Sequence, residues 1–245
     1  MHWSIRCGAH SSRSPNPEAA AAGSKLTAGD TLAVVSPATA LRKDSVPEAL
    51  AVFALIMLYI WKLRLTHPWS WLAAVALIVV SHVARRERPQ ELGFHTRNFA
   101  ICARKFGLAV IAAAAALWIG GLLLKTIRPL SPAQMIQSFA VYLPWGLFQQ
   151  YLMNGYFLRR FDSSLSRGPA SVLTAVLFSV VHAPNWFLML VTPVGACGAI
   201  WVYRRYGNLY FLGLAHAVFG FLLFIVVPDS VSHHMRVGPG WFSYR

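Results

Sequence analysis

From Pro47 onward the chain is a succession of long apolar runs separated by short polar or basic stretches. A helix crossing the ~30 Å hydrocarbon layer needs about 20 residues. Runs of about that length lie at 47–65, 68–84, 106–124, 132–158 (interrupted by Pro144) and 209–227. Residues 168–203 add 36 positions without one charge, too long for one span. That stretch suits two helices broken at Ala183-Pro184-Asn185, where proline removes a backbone donor. The pattern predicts an all-α fold, a polytopic transmembrane helical bundle of six to seven spans. The count turns on the first run, whose Lys62 and Arg64 must snorkel to the interface. The basic stretch from Arg85 to Lys105 is expected at the interface. Its Leu92, Phe94 and Phe99 among arginines suggest an amphipathic helix over 91–105. Residues 1–45 hold Ser, Pro, Gly and an Ala tract with no period. They read as a disordered cytoplasmic tail or an over-called start site, and no apolar core follows the early basic residues as in a signal peptide. The transmembrane domain is then 46–245.

Composition sharpens this. Of 245 residues, 56% are hydrophobic and 12% charged, and mean hydropathy is +0.50. A soluble chain carries about twice that charged share. All eight acidic residues fall outside the apolar runs. The formal charge of +14 would suggest nucleic acid in a soluble protein. Here its distribution has another cause. With seven spans and the N-terminus inside, 16 of the 22 Lys and Arg fall on the inner side. That is the positive-inside bias. It implies an integral protein of a bacterial-type plasma membrane with a cytoplasmic N-terminus, the lipid bilayer as partner and no nucleic acid. Oligomeric state stays open. Cys7, Cys102 and Cys197 are scattered without CxxC spacing and read as reduced structural thiols.

Five polar residues sit inside the spans: Gln149, Gln150, Asn154, His182 and His216. In hydrocarbon each needs a partner or a purpose. Gln150 and Asn154, four apart, share a helix face, with Gln149 about 100° round from it. By helical rise, Gln150 lies about 14 Å inward from Arg159 and His216 about 12 Å inward from Asn208. His182 is about 20 Å from Gly168, which is deeper. The bland reading is glue between helices, worth under ~2 kcal/mol each. Two histidines and amides lack the third strong ligand of a zinc site, so no metal is expected. Ser179 lies near His182 but has no acidic partner to complete a triad. His233 and His234 read as solvated tail residues. Gly195, Gly198 and the small residues Ala196 and Ala199 would let the sixth helix pack closely. A transporter fits poorly, since neither intramembrane charge nor a repeat is visible.

The order and spacing of these segments resemble the CPBP family of intramembrane proteases, the CAAX proteases and bacteriocin-processing (Abi) proteins. Its motifs are E-E-x-x-x-R, often followed by Gly, then F-x-x-x-H, then H-x-x-x-N. They fall on Gln149, Gln150 and Asn154 with Gly155; on Phe178 and His182; and on His216 with Gly220. The resemblance covers about 133–227 and implies a CPBP-like core with no cofactor. It also implies a catalytic set of Gln149, Gln150, Asn154, His182 and His216. In the family a motif-one glutamate activates water. The histidines and asparagine orient it and hold the oxyanion. Here both glutamates, the arginine and the asparagine are replaced. A carboxamide is not basic at neutral pH. If water is activated, His182 or His216 is the base, with an ordinary pKa near 6.5, and the amides are oxyanion donors. Two readings follow. One is an intramembrane endopeptidase with a neutral site, acting on membrane-anchored peptides or prenylated C-termini. The other is an inactive relative that binds a membrane peptide, isoprenoid or partner helix.

Overall fold

In the computed structural model, residues 45–243 are described. The tail expected over 1–45 lies outside them, apart from Ser45, which opens the first helix. The main helices are α1 (Ser45–Thr66), α2 (Pro68–Ala84), α3 (Phe99–Leu123), α4 (Pro132–Gln150), α5 (Arg167–Val180), α6 (Trp186–Tyr206) and α7 (Leu209–Val226). No strand occurs among the described residues. By length and apolarity α1, α3, α6 and α7 can cross a membrane. Helices α2 and α5 are apolar but shorter. Helix α4 continues into a π-helical segment, Tyr151–Leu158, and a last turn, Arg159–Asp162. Its amides make it the least apolar of the long helices.

The helix starts are written locally. Ser131 Oγ accepts from Gln134 N while Gln134 Oε1 accepts from Ser131 N, with Pro132 at the first helical position. This reciprocal box satisfies two otherwise orphaned donors. Asn185 Oδ1 accepts from Leu188 N to start α6, and Asn208 Oδ1 accepts from Phe211 N to start α7. The expected break at 183–185 is therefore where α5 and α6 part.

Two sequence expectations are corrected. The stretch 91–105 is not one amphipathic helix. A single turn, Pro89–Leu92, stops at Gly93 with φ 107°, and α3 begins only at Phe99. A Cβ on Gly93 would lie 2.6 Å from Gly207 O, so the loop is pinned under the α6–α7 turn. The α7 start holds it there, with Leu209 N donating to Gly93 O (3.0 Å). Nor do Gly195 and Gly198 mediate close packing. Both face open space, whereas Ala196 on that helix meets Met153 and Ala175, with Ala199 packed against the same group. The close approach lies between α4 and α7. A Cβ on Gly146 would stand 2.7 Å from Gly213 O, and one on Gly213 would stand 2.8 Å from Leu147 Cα. Small residues let two helices meet backbone to backbone where lipid offers no hydrophobic drive. This contact is the most extensive between any two helices, and it sets α4 against α7.

One end of the bundle gathers the start of α1, the end of α2, the start of α3, the loop after α4, and the α6–α7 turn. Asn98 Nδ2 donates to Tyr206 O (2.5 Å), and Asn208 Nδ2 donates to His95 O (3.0 Å) and Asn98 Oδ1 (2.7 Å). At the opposite end the C-terminal segment is not a solvated tail. His234 Nδ1 lies 3.0 Å from Asp229, which also pairs with Arg128, and His233 stacks on Trp241 with centroids 3.5 Å apart. Asn185 Nδ2 donates to Ser232 O (2.8 Å) and Arg236 O (3.0 Å), tying that segment to the α5–α6 break.

Candidate functional site

The α4–α7 contact brings the two motif helices together. Gln150 and Asn154 are buried and linked, Asn154 Nδ2 donating to Gln150 Oε1 (2.8 Å). Gln150 Nε2 then reaches His216 Nδ1 on α7 (3.0 Å). An amide nitrogen only donates, so His216 Nδ1 accepts and the neutral ring carries its proton on Nε2. In the turn just past α5, His182 Nδ1 lies 2.6 Å from Phe178 O. A carbonyl only accepts, so this ring carries its proton on Nδ1 and leaves a lone pair on Nε2. The two imidazoles thus present opposite faces, one a donor and one an acceptor. The Phe178 ring meets both edge-on, with centroids 5.2 Å from His182 and 6.1 Å from His216.

Four of the five sequence candidates therefore converge. Gln150, Asn154 and His216 form one hydrogen-bonded chain, and His182 joins across Phe178. Gln149, half-buried, stands outside that chain. Asn154 Oδ1 is buried with no hydrogen-bond partner among the described residues. A buried acceptor left empty costs about 1–3 kcal/mol, so a donor from elsewhere would be welcome there. Ser179 is no nucleophile candidate, since its Oγ donates to Met189 O (2.7 Å) and ties α5 to α6.

Gly220 stands where the third motif carries asparagine. A Cβ there would lie 3.0 and 3.1 Å from two ring carbons of Tyr142 on α4. That ring packs among Phe221 and Phe224 and fills the space an asparagine would enter. Restoring the motif by Gly220→Asn is expected to destabilise the protein by about 1–3 kcal/mol through overpacking. Tyr142→Ala combined with it should recover part of that loss. Thermal unfolding of the four members of the cycle measures the coupling, and additive effects would refute the contact.

A second buried cluster escaped the sequence reading. It lies at the charged end, one residue along α4 from Gln150. Tyr151 Oη donates to His82 Nε2 (2.9 Å), and His82 Nδ1 donates to Glu87 Oε2 (2.6 Å). Glu87 also accepts from Arg159 (3.0 Å) and from Arg160 (2.7 and 3.0 Å). Arg160, only 2% exposed, reaches Glu48 on α1 (3.4 Å), which is held in turn by Ser81, Arg85 and Tyr156. Burial pushes the Glu87 carboxyl up. Hydrogen bonds from His82 and Arg160, and the charges of Arg160 and Arg159, outweigh it and hold the group below the usual carboxylate range. The charges were visible in the sequence. Their pairing was not, because Glu87 and Arg160 are separated by 73 residues. The cluster clamps α1, α2 and the end of α4 together, and it fixes the tyrosine that follows Gln150. Among the described residues, no group of three or more His, Cys, Asp or Glu is placed to hold a metal.

Residues 131–222 match the model of a family described as type II CAAX prenyl endopeptidase Rce1-like. No curated protein and no solved structure matches the chain. The matched stretch begins at the cap of α4 and ends two residues past Gly220, so it contains all three motif segments and the hydrogen-bonded chain between them. Over those residues the chain is similar to the CAAX protease family.

Proposed function

We propose that this protein is an intramembrane endopeptidase of the CAAX-protease type that works with a neutral site. Its substrates would be membrane-anchored peptides or prenylated C-termini. In this reading the bundle has six to seven spans, with the N-terminus and the Glu87–Arg160 end in the cytoplasm, as the basic loops there favour. His182 Nε2 takes a proton from water, which attacks the peptide carbonyl. The developing oxyanion accepts a hydrogen bond from His216 Nε2–H, and protonated His182 returns its proton to the leaving amine as the C–N bond breaks. Gln150 and Asn154 fix the His216 tautomer and do not touch the reacting atoms. The open Asn154 Oδ1 is free to accept a substrate N–H. One observation carries the proposal: the hydrogen bonds give the two imidazoles complementary roles, so a base and an oxyanion donor exist without a carboxylate.

A second reading is supported by a different observation. Gln150 has both ends of its amide engaged, and the nearby carboxylate, Glu87, is bound to His82 and two arginines. A protein that binds a membrane peptide, isoprenoid or partner helix without cutting it has the same geometry.

Purified protein and a quenched prenylated peptide separate the two. Cleavage is expected, and it should survive Gln149→Ala within about threefold, since Gln149 lies outside the chain. No cleavage, together with saturable photocrosslinking of the same peptide to α4 or α7, would establish the binding reading instead.

A further inference from the structure

Three acidic residues at the charged end are paired with arginines among the described residues. Glu48 is taken by Arg85 and Arg160, Glu87 by Arg159 and Arg160, and Asp162 by Arg204. The cations left on the surface are a different set. Arg86, Arg88, Arg97, Arg104, Arg167 and Arg205 are exposed, and none has an acidic side chain within ion-pair distance among the described residues. Hydrogen bonds place their segments at one end. Arg159 donates to Glu91 O (3.1 Å), Asn98 to Tyr206 O (2.5 Å), and Arg204 to Arg167 O (3.1 Å). Glu91 is the one exposed acid among them, and its carboxylate accepts from Arg88 N. The end is therefore a collar of positive charge around a neutralised interior.

Just below the collar the surface turns apolar. On α3, Leu108 follows Arg104 by one helical turn and is 77% exposed, and Ile111 is 66% exposed. On α6, Trp201 precedes Arg205 by one turn and is 61% exposed. A cation one turn above an exposed hydrocarbon side chain, repeated on two helices, matches a molecule with an anionic head and an apolar tail. We infer that this collar binds the phosphodiester headgroups of anionic phospholipids, whose acyl chains lie along α3 and α6. A soluble phosphate would use the guanidinium groups but gain nothing from Leu108, Ile111 or Trp201. A nucleic acid would likewise leave them uncovered. The inference rests on the membrane placement and not on the proposed cleavage, so it stands or falls separately from the enzyme reading.

The test uses the full chain in lipid nanodiscs of phosphatidylcholine alone, or with roughly a third replaced by phosphatidylglycerol. The anionic lipid is expected to raise Tm by about 2–4 °C, by preferential binding to the folded state. It should also be retained over phosphatidylcholine in native mass spectra of the detergent-extracted protein. In the variant Arg86→Gln, Arg88→Gln, Arg97→Gln, Arg104→Gln, that preference should fall by about tenfold or more, since each juxtamembrane cation adds to headgroup attraction. None of these four joins the internal ion pairs, so Tm in phosphatidylcholine alone should stay unchanged. If the variant does not fold, the salt dependence of lipid retention by the unaltered protein serves. Screening should erase the preference near 1 M salt, where the Debye length is about 3 Å. An unchanged preference in the variant, or one indifferent to salt, overturns the inference. So does an equal Tm rise from glycerol phosphate, or displacement of the lipid by a single-stranded oligonucleotide.

Discussion

Glu87→Gln is expected to lower the unfolding free energy by about 3–5 kcal/mol, as removal of one partner from a buried ion pair generally does. The carboxylate side chain is 5% exposed and faces two guanidinium groups and the His82 ring. The amide would leave the buried Arg160 with Glu48 alone, at 3.4 Å. In detergent Tm should fall by about 10 °C. Arg159→Gln should cost much less, because Glu87 keeps Arg160 and His82. A Tm loss under about 2 °C for Glu87→Gln would show that the clamp is not load on the fold. The same group predicts a pH dependence. Its folded pKa lies below the unfolded value, so its stabilisation is complete above the unfolded pKa of about 4.3. It is lost as pH falls from there toward the folded pKa. Unfolding midpoints of the unaltered protein should therefore drop below about pH 4, and the Glu87→Gln variant should show a shallower drop.

His182→Gln is the second large effect. Glutamine keeps a donor for Phe178 O but offers no lone pair of comparable basicity. Cleavage should fall by about 10²–10⁴-fold, the usual contribution of a general base. His216→Gln should also reduce kcat, through the oxyanion, while leaving the base in place. Tm should change little for His182→Gln, since its one side-chain hydrogen bond among the described residues runs to a carbonyl four positions earlier. Full activity in His182→Gln would eliminate the proposed base. Equal and complete loss in Gln149→Ala would also count against the arrangement, because that side chain lies outside the hydrogen-bonded chain.

The sequence made the helices legible for a simple reason. In hydrocarbon a backbone must satisfy its own hydrogen bonds, so long apolar runs become helices. The α5–α6 break at 183–185 and the starts of α4, α6 and α7 were readable from Pro, Ser and Asn. The motif residues were also found, as polar groups with no local reason to be there. The stretch 91–105 misled, because its residues suit an amphipathic helix. What interrupts that helix is a contact 114 positions away, Gly93 beneath Gly207.

Other features depended on how the helices meet. Gly146 and Gly213 were two glycines among the 17 in the sequence, and nothing local marked them as the contact that Gly195 and Gly198 do not make. Which histidine accepts and which donates follows from Gln150 on one helix and a carbonyl on another. Tyr142 filling the place opposite Gly220 follows from the pairing of α4 with α7. The ion clamp joins residues more than 70 positions apart. By itself the sequence determined the helical class, the membrane setting and the family motifs, since each depends on local composition and short spacing. The tertiary structure alone decided the tautomers, the occupied asparagine position and the pairing of charges. Those are properties of side chains that meet only after the helices have packed.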